Sequence, residues 1–357
     1  MKKQYLLIMA ILISVALGAF AQGKKFSMYA IGFYNQENLF DTCHDQGKRD
    51  YDFLPSGSYK WSGLKYTHKL RNMAHALADM GTDKIPLGCA FIGLAEVENA
   101  KCLHDLCEQE PLKKRNMQYI LFEGVDRRGI DVGFLYNPKL FSPDMEKTRL
   151  IPYESPDTTF KTRGFLTVHG TMAGEHVVCI VCHLPSRLNG DDTNRVRGAE
   201  QASRIKDAIL KEDHKAKVFI MGDMNDDPID RSMTKGLRSR ANVKNVNKGE
   251  MFNPWIDVIK SGTGTLRYDG AWNLFDQILL SPTLLVSGDN TAKQYQKEVL
   301  NDCKTLRYFN HQIFRRDYLF QTEGKYKGNP KRTHAGGQWL DGYSDHLPVV
   351  VYVVKEQ

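Results

Sequence analysis

The sequence lacks the features that mark repeat proteins, low-complexity proteins and chains divided by linkers. No segment repeats along its 357 residues, and its 13 prolines and 29 glycines are scattered rather than gathered into tracts. Because 41% of the residues are hydrophobic and 25% are charged, the composition is typical of a globular protein and argues against disorder. The length would allow two domains, but large α/β folds of this size often form one, and no linker is recognisable.

Cysteine is also scarce, and its pattern argues against a structural zinc site. The chain has seven cysteines, an odd number, so at least one thiol stays unpaired even if disulfides form in an oxidising compartment. Cys179 and Cys182 lie in an apolar run and are expected in the core. No second Cys-x-x-Cys pair accompanies them, whereas structural zinc sites normally use four ligands from two such pairs.

Long apolar runs are absent after the first 21 residues, which differ from everything that follows. Lys2 and Lys3 precede an apolar stretch from Leu6 to Phe20, and Ala19-Phe20-Ala21 has the small-x-small form of a cleavage site. These features predict a Sec signal peptide over residues 1–21, a mature start near Gln22, and a periplasmic or secreted protein. The run is short for a membrane span and no cysteine follows it, so we expect no stable membrane anchor after cleavage.

The mature chain is expected to be mildly basic. Loss of two lysines with the signal peptide lowers the formal net charge from +7 to +5. This charge suits an anionic substrate, but solvated surface lysines explain most of it equally well.

Short apolar runs predict buried strands, and two longer segments have the periodicity of helices. Lys65 to Met80 and Arg195 to Glu212 repeat apolar residues at helical spacing, and both are expected to carry basic residues on the opposite face. Because strands often follow strands, the order indicates an α/β fold with stacked sheets rather than a regular parallel wind. The predicted strands are Met28–Tyr34, Ala90–Ala95, Val132–Tyr136, Phe165–Val168, Val177–Cys182, Val218–Met221, Ile278–Leu280 and Leu347–Val353.

Polar side chains that could react stand at the ends of these runs. Four of them follow a run: Asn35, Glu96, His183 and Asp223. Three others precede a run: Asp276, Asp345 and His346. Ligand crevices in open α/β sheets form at the carboxyl ends of strands. If all seven residues share one site, the last two strands must therefore run antiparallel to the earlier four.

Each of these residues also has an ordinary structural explanation when it is taken alone. Asp223 and Asn225 could form an Asx-turn, and Glu96 could be a solvated strand end. His183 could be a histidine at the edge of the core, and Asp345-His346 could be a surface turn. Their joint occurrence in one order along the chain is what favours a shared active site.

Seven short pieces carry these residues: Tyr34-Asn35-Gln36-Glu37-Asn38-Leu39-Phe40, Leu94-Ala95-Glu96-Val97-Glu98, Arg128-Gly129-Ile130-Asp131-Val132, Cys182-His183-Leu184-Pro185-Ser186-Arg187, Gly222-Asp223-Met224-Asn225-Asp226, Phe275-Asp276-Gln277-Ile278-Leu279 and Tyr343-Ser344-Asp345-His346. Their order resembles that of the endonuclease/exonuclease/phosphatase superfamily, and the whole chain is similar to an exported bacterial branch of it. The resemblance implies a DNase I-like, four-layer α/β sandwich, in which two mixed β-sheets lie face to face and are flanked by helices. It also implies that the mature chain, residues 22–357, forms one domain, in which residues 227–273 are an insertion on the substrate rim.

The resemblance implies that the site binds a divalent cation and activates a water molecule. Glu96 would bind the metal, usually Mg²⁺ with Mn²⁺ as the alternative, and Asn35 and Asp345 would complete or support the metal shell. Asp223 would orient and deprotonate the attacking water.

Other residues would then contact the substrate. Asn225 would donate its amide to a phosphoryl oxygen, and His183 would contact the phosphate. Asp276 would hold the imidazole of His346, which would face the phosphoryl group. Arg163 matches a phosphate-holding arginine of DNase I-like nucleases, although it could equally be a surface arginine that opens a strand. Weaker candidates are Arg128, Arg187 and Arg332.

The function implied is that of an exported, metal-dependent phosphoesterase that hydrolyses a phosphodiester. Nucleic acid is slightly favoured as the substrate. The histidine at position 183 counts against an AP endonuclease, because those enzymes carry asparagine there. The alternative is a phosphatase or a phospholipase C-type, sphingomyelinase-like enzyme that acts on a lipid or sugar phosphate. A non-catalytic binding module with the same fold is a third possibility, disfavoured because all of the carboxylates and histidines are present.

Overall fold

The computed structural model describes residues 25–187, 190–287 and 292–357. The predicted signal peptide and the predicted mature start at Gln22 lie outside the described residues. The extent of a single domain over residues 22–357 stays a prediction.

Strands dominate the described part of the chain. In chain order they are β1 (Phe26–Leu39), β2 (Cys89–Val97), β3 (Gln118–Leu121), β4 (Asp131–Tyr136), β5 (Ser142–Ile151), β6 (Phe165–Met172), β7 (Glu175–His183), β8 (Lys217–Asp223), β9 (Ser239–Arg240), β10 (Met251–Phe252), β11 (Leu266–Tyr268), β12 (Ala271–Asn273), β13 (Asp276–Leu280), β14 (Arg307–Ile313), β15 (His334–Ala335), β16 (Gln338–Trp339) and β17 (Val349–Glu356). The α-helices are α1 (Gly63–Asp79), α2 (Ala100–Cys107), α3 (Glu110–Lys113), α4 (Thr193–Glu212), α5 (Trp255–Lys260) and α6 (Ala292–Asn301).

Two large mixed sheets form the centre of the molecule. The first has the order β14-β17-β1-β2-β4-β3, and the second has the order β5-β6-β7-β8-β13-β10-β9. Their inner faces share one apolar cluster, in which the ring of Phe91 on β2 lies 6.0 Å from that of Phe219 on β8. Helices α1 and α2 cover the outer face of the first sheet, and α4 covers that of the second. The predicted four-layer α/β sandwich is therefore confirmed.

The strand directions are those that a shared site requires. β1 and β2 are parallel, as are β7 and β8. β13 runs antiparallel to β8, and β17 runs antiparallel to β1. The carboxyl ends of four strands and the amino ends of two others consequently meet at one end of the sandwich.

The prediction that basic residues avoid the packed faces of the helices is wrong at three positions. Lys69 on α1 and Lys206 on α4 are fully buried, and Arg195 on α4 is also buried. Lys69 Nζ donates to Thr333 Oγ1 at 2.7 Å, so the ammonium group keeps polar partners beneath the site. Helical periodicity places Lys69 on the same face as Tyr66 and Met73, both of which are buried.

The strands that the sequence analysis missed include three members of the large sheets: β3, β5 and β14. β3 and β14 are the two edge strands of the first sheet, and β5 is an edge strand of the second. An edge strand has one unpaired side and needs no continuous apolar run. In β5 only Thr148 is buried, so its sequence carries little of the signal that identifies central strands.

Two further expectations concern cysteines and membranes. All seven cysteines are free thiols, and Cys179 and Cys182 are buried in the core as predicted. Within the described ranges, no helix has both the length and the apolar character needed to cross a membrane.

Gly222 on β8 provides a test of how tightly the two central strands pack at the site. A Cβ atom at this position would lie 2.0 Å from the carbonyl oxygen of Cys182 on β7. We expect Gly222→Ala to lower the free energy of unfolding by about 1–3 kcal/mol, because backbone must move to admit the methyl group. Gly63→Ala is the control, since no atom lies within 4 Å of the added Cβ and Gly63 begins α1. Urea unfolding midpoints that are equal for the two variants would contradict this packing argument.

Candidate active site

Asp223 is the residue to which most of the site is connected. Its Oδ2 accepts a hydrogen bond from Asn35 Nδ2 at 3.0 Å, and its Oδ1 accepts one from the backbone N–H of Asn225 at 2.9 Å. Burial raises the pKa of Asp223 to about 6; the charged His346 opposes this shift, and the carboxylate of Asp276 adds to it. The carboxylate is therefore ionised at neutral pH yet has the near-neutral pKa that suits a general base.

His346 and Asp276 form a buried ion pair beside Asp223. His346 Nδ1 lies 2.7 Å from Asp276 Oδ2, and His346 Nε2 lies 3.8 Å from Asp223 Oδ2. Burial opposes the charged imidazolium, but the carboxylates of Asp276 and Asp223 outweigh it and raise the pKa of His346 well above its usual range. A positive charge consequently persists at neutral pH, with Nε2–H directed away from Asp276.

His183 has the opposite character. Its Nε2 lies 3.6 Å from Asp223 Oδ2 and 3.9 Å from Glu96 Oε1. Burial lowers the pKa of His183 well below its usual range, and the positive charges of Arg163 and Arg128 reinforce the shift. The site thus contains one neutral imidazole and one charged imidazole on two sides of the same carboxylate.

Glu96 is held in an unusual backbone conformation at the end of β2. Its φ is 61°, in the left-handed region, and such a conformation costs on the order of 1–3 kcal/mol for a residue other than glycine. The backbone N–H of Asn38 donates to Glu96 Oε2 at 3.0 Å, and Arg128 Nη2 lies 3.8 Å from the same oxygen. Among the described residues, Glu96 Oε1 receives no hydrogen bond. This oxygen is therefore available to a ligand.

Asp345 offers a second available oxygen. Asp345 Oδ2 accepts from Arg332 Nη2 at 2.7 Å, whereas Asp345 Oδ1 has no hydrogen bond among the described residues and lies 3.9 Å from His346 Nε2. Asn35 Oδ1 accepts the backbone N–H of Glu37 at 2.8 Å and keeps a second lone pair, so its place in a metal shell stays a prediction. Carboxylate oxygens without hydrogen bonds are the donor type that a hard cation such as Mg²⁺ prefers.

A second group of ligand-type atoms lies at the ion pair itself. Asp223, Asp276 and His346 each place one such atom within 4.8 Å of the others, and all three residues are buried. A metal there would have to displace the proton that His346 shares with Asp276, because a protonated ring has no lone pair for a metal. The assignment of Glu96 and Asp345 as the metal ligands stays a prediction.

A sequence model of the Endonuclease/Exonuclease/phosphatase family matches residues 30–355, which include every residue of this site. The chain belongs to that family. No curated protein matches it significantly.

Solved structures with the same fold include three that each cover more than nine-tenths of this chain. An endonuclease/exonuclease/phosphatase family protein from Bacteroides thetaiotaomicron is 14% identical with a TM-score of 0.54, over 92% of this chain and 98% of that chain. A mannosyl-6-phosphatase from the same organism is 14% identical with a TM-score of 0.53, over 91% of this chain and 99% of that chain. Truncated TDP2 from Caenorhabditis elegans is 14% identical with a TM-score of 0.51, over 91% and 97% respectively. At such identities the likeness shows the fold alone.

Two residues that were predicted to bind the substrate, Arg163 and Asn225, form hydrogen bonds within the protein. Arg163 is buried, its Nη1 donates to Asp126 Oδ2 at 3.2 Å, and its Nη2 donates to the carbonyl oxygen of Leu184 at 3.1 Å. Asn225 Nδ2 donates to the same carbonyl oxygen at 2.9 Å. Both side chains hold the loop after β7 in this state. Their contacts with a phosphate stay predictions.

The weaker arginine candidates differ in their surroundings. Arg187 Nε donates to the carbonyl oxygen of Asn225 at 2.9 Å and to Asp226 Oδ1 at 3.1 Å, so it fastens the loop after β8. Arg128 Nη2 donates to Asn38 Oδ1 at 2.5 Å. Arg128 and Arg332 both reach carboxylates of the site, at Glu96 and Asp345.

Sequence analysis gave no role to Glu37 and Lys69, which support the metal-ligand side of the site. Glu37 accepts from the backbone N–H of Thr333 at 2.6 Å and from Arg332 Nε at 3.3 Å. Burial raises the pKa of Glu37 to about 7 and lowers that of Lys69 to about 8. The helical position of Lys69 among buried neighbours was the signal that could have identified it.

The charge on His346 can be tested by its titration. We expect Asp276→Asn to lower the pKa of His346, because the largest stabilising carboxylate is lost while burial remains. Histidine NMR signals recorded against pH, with His346→Gln for assignment, measure this change. Asp213→Asn is the control, since that carboxylate pairs with His176 at 2.8 Å instead. A His346 titration that is the same in Asp276→Asn and in the unsubstituted protein would exclude the ion pair.

Proposed function

We propose that this protein is a metal-dependent phosphoesterase that hydrolyses a phosphodiester by attack of a water molecule. Family membership supports a phosphoesterase. The observation that carries the finer proposal is the arrangement around Asp223: a carboxylate with raised pKa, fixed by Asn35 and Asn225, between neutral His183 and charged His346. The N-terminal sequence further supports export to the periplasm or the medium.

The oxygen set of Glu96 and Asp345 would hold the cation, which we propose to be Mg²⁺ or Mn²⁺. When bound, such a cation neutralises the charge of the phosphoryl group and lowers the energy of the developing oxyanion. Asn35 supports this arrangement indirectly, because its amide fixes Asp223 while its oxygen holds the backbone at Glu37.

Asp223 takes the proton of the attacking water. Its two oxygens are both restrained by hydrogen bonds, so it presents the remaining lone pairs in a fixed direction. Neutral His183 directs Nε2 toward the same region and can donate a hydrogen bond to a phosphoryl oxygen. A neutral donor adds no further charge beside Arg163 and Arg128. Burial lowers the pKa of His183 and keeps this imidazole unprotonated, and the charges of the two arginines add to that effect.

His346 supplies a positive charge on the other side of Asp223. Asp276 binds the Nδ1 proton, which leaves Nε2–H free to stabilise the phosphoryl group or to protonate the leaving oxygen. Because Asp276 is fully buried, its carboxylate keeps the imidazolium in one orientation. The same groups could serve a phosphomonoesterase, so the substrate panel must include sugar and lipid phosphates.

The role of Glu96 can be tested by metal dependence. We expect a chelator to abolish hydrolysis of a nitrophenyl phosphodiester and Mg²⁺ or Mn²⁺ to restore it. Glu96→Gln should raise the metal concentration needed for half-maximal activity by about tenfold or more, because the amide lacks the negative charge. Glu98→Gln is the matched control: burial raises the pKa of Glu98 to about 8, so glutamine resembles its protonated form. Full activity of Glu96→Gln at low metal, or activity in excess chelator, would refute the proposed metal site.

The Asp276–His346 pair can be tested by a double-mutant cycle on turnover. We expect Asp276→Asn and His346→Ala each to lower kcat by about 100-fold or more, because the charge on the imidazole is lost in both. The double variant should be little worse than either single variant, since the two residues act as a unit. Fully additive losses would show that they act independently and would remove the pair from the mechanism.

A further inference from the structure

A short hairpin is attached directly to the catalytic ion pair. β11 and β12 form it, and Leu266 forms a β-bridge with His346. The backbone N–H of Leu347 donates to the carbonyl oxygen of Thr265 at 2.8 Å, and Thr265 Oγ1 accepts the N–H of Asp276 at 3.3 Å. Any molecule that binds this hairpin is therefore close to the reacting groups.

A second hairpin-like loop, residues 320–330, lies beside the first. Phe320 and Pro330 form a β-bridge at its base, and Arg267 Nη1 of the first hairpin donates to Asn329 Oδ1 at 3.2 Å. Two residues beyond Pro330 the chain reaches Arg332, which binds Asp345. Both hairpins thus lead from the surface to the site.

Cations and aromatic rings lie beside one another on these two hairpins and on the segment between β14 and the second loop, which contains Arg315. The guanidinium groups of Arg267 and Arg315 lie 5.8 and 5.2 Å from the ring centre of Trp272, and Arg315 also lies 4.8 Å from that of Phe320. At the tip of the second loop, Lys325 Nζ lies 5.7 Å from the ring of Tyr326, which is 45% exposed. We call this surface the basic rim; it consists of Arg267, Trp272, Arg315, Phe320, Lys325, Tyr326 and Lys327.

The cations of the basic rim are not neutralised by carboxylates. In the described part of the chain, Arg267, Arg315, Lys325 and Lys327 form no ion pair. Arg316, the next residue after Arg315, differs from these cations because it is paired with Asp79 at 3.0 Å. Unpaired cations beside aromatic faces are the pattern that binds single-stranded nucleic acid, through phosphates and stacked bases.

We propose that the basic rim binds the strand that flanks the scissile phosphate, so that the substrate is a single-stranded nucleic acid. This inference rests on the proposed phosphodiester hydrolysis. A sugar phosphate carries its charge at the reacting phosphate, whereas a strand carries further phosphates and bases beyond it. The basic rim offers cations and rings for those additional groups, next to His346.

The hairpin tips argue against a lipid surface as the ligand. The first tip is Asp269-Gly270, and the second contains Glu323 and Gly324. Neither tip carries leucine, isoleucine, valine or phenylalanine, which an interfacial segment would insert among acyl chains. Tyr268 and Tyr326 are the exposed aromatic residues there, and both can stack on a base.

Arg267→Gln with Arg315→Gln tests the proposal, because glutamine removes the charge and keeps a polar side chain. A fluorescent oligothymidylate is titrated in chelator, so that binding is read without turnover. We expect the dissociation constant to rise about tenfold or more, and the slope of its logarithm against that of salt concentration to fall by about 1.4, since each phosphate contact to a single strand contributes about 0.7. Hydrolysis of the small nitrophenyl phosphodiester should be unchanged.

Lys211→Gln with Lys215→Gln is the charge-matched control. Both lysines are exposed and precede the start of β8, whereas Asp223 lies at the other end of that strand. This variant should therefore bind the oligonucleotide as the unsubstituted protein does. Three results would overturn the proposal. They are equal weakening of oligonucleotide binding in the two double variants, absence of oligonucleotide binding, and a dependence on the two arginines that is seen for phosphatidylserine vesicles but not for the oligonucleotide. If no phosphoester is hydrolysed with either metal, the proposed function fails, while the binding comparison still decides the role of the basic rim.

Discussion

The register of three adjacent strands in the second sheet is the constraint on which the site depends. Asp223 on β8 is paired in register with His183 on the parallel strand β7 and with Asp276 on the antiparallel strand β13. A shift of one residue on either strand would send its side chain to the opposite face of the sheet. The apolar residues that precede Asp223 and follow Asp276 fix that register, because they must fill the core between the sheets. Hydrophobic packing thereby positions polar groups that contribute nothing to it.

The buried carboxylates of the site are stabilised by positively charged neighbours. Carboxylates at one end of the sandwich would repel one another if nothing opposed them. The charged His346 lies between Asp276 and Asp223, and Arg332 bridges Glu37 and Asp345. Among the described residues, Glu96 Oε1 and Asp345 Oδ1 accept no hydrogen bond, and the proposed cation would supply their counter-charge. Glu96 and Asn225 both have a left-handed backbone conformation. Such strained conformations persist where a function needs the geometry.

The fold does not decide the substrate of this protein. Structures with the same architecture include one named as a mannosyl-6-phosphatase and one named as TDP2, at 14% identity in each case. Specificity must therefore lie in the segments that surround the common end of the sheets. Within the predicted insertion, residues 227–273, β9 and β10 extend the edge of the second sheet, and the last part reaches the site as β11 and β12. The basic rim combines that part with a segment near residue 320, far away in sequence.

The sequence by itself determined the central strands, the two long helices and the set of residues that meet at the site. Continuous apolar runs identify strands that are covered on both faces, and the position of Glu96, Asp223 and Asp276 near strand ends follows directly from those runs. Asn35 instead lies inside β1, which continues to Leu39 after its regular pairing with β2 has ended, so the predicted end of that strand was too early. The edge strand β5 escaped this reasoning because a strand with one exposed side carries no such run. Only the tertiary structure decided the states of the side chains. That His183 is neutral and His346 charged depends on burial and on neighbours from other strands, which one-dimensional spacing does not contain. The engagement of Arg163 with Asp126, and the ammonium group of Lys69 beneath Thr333, likewise arise from contacts between segments distant in the chain.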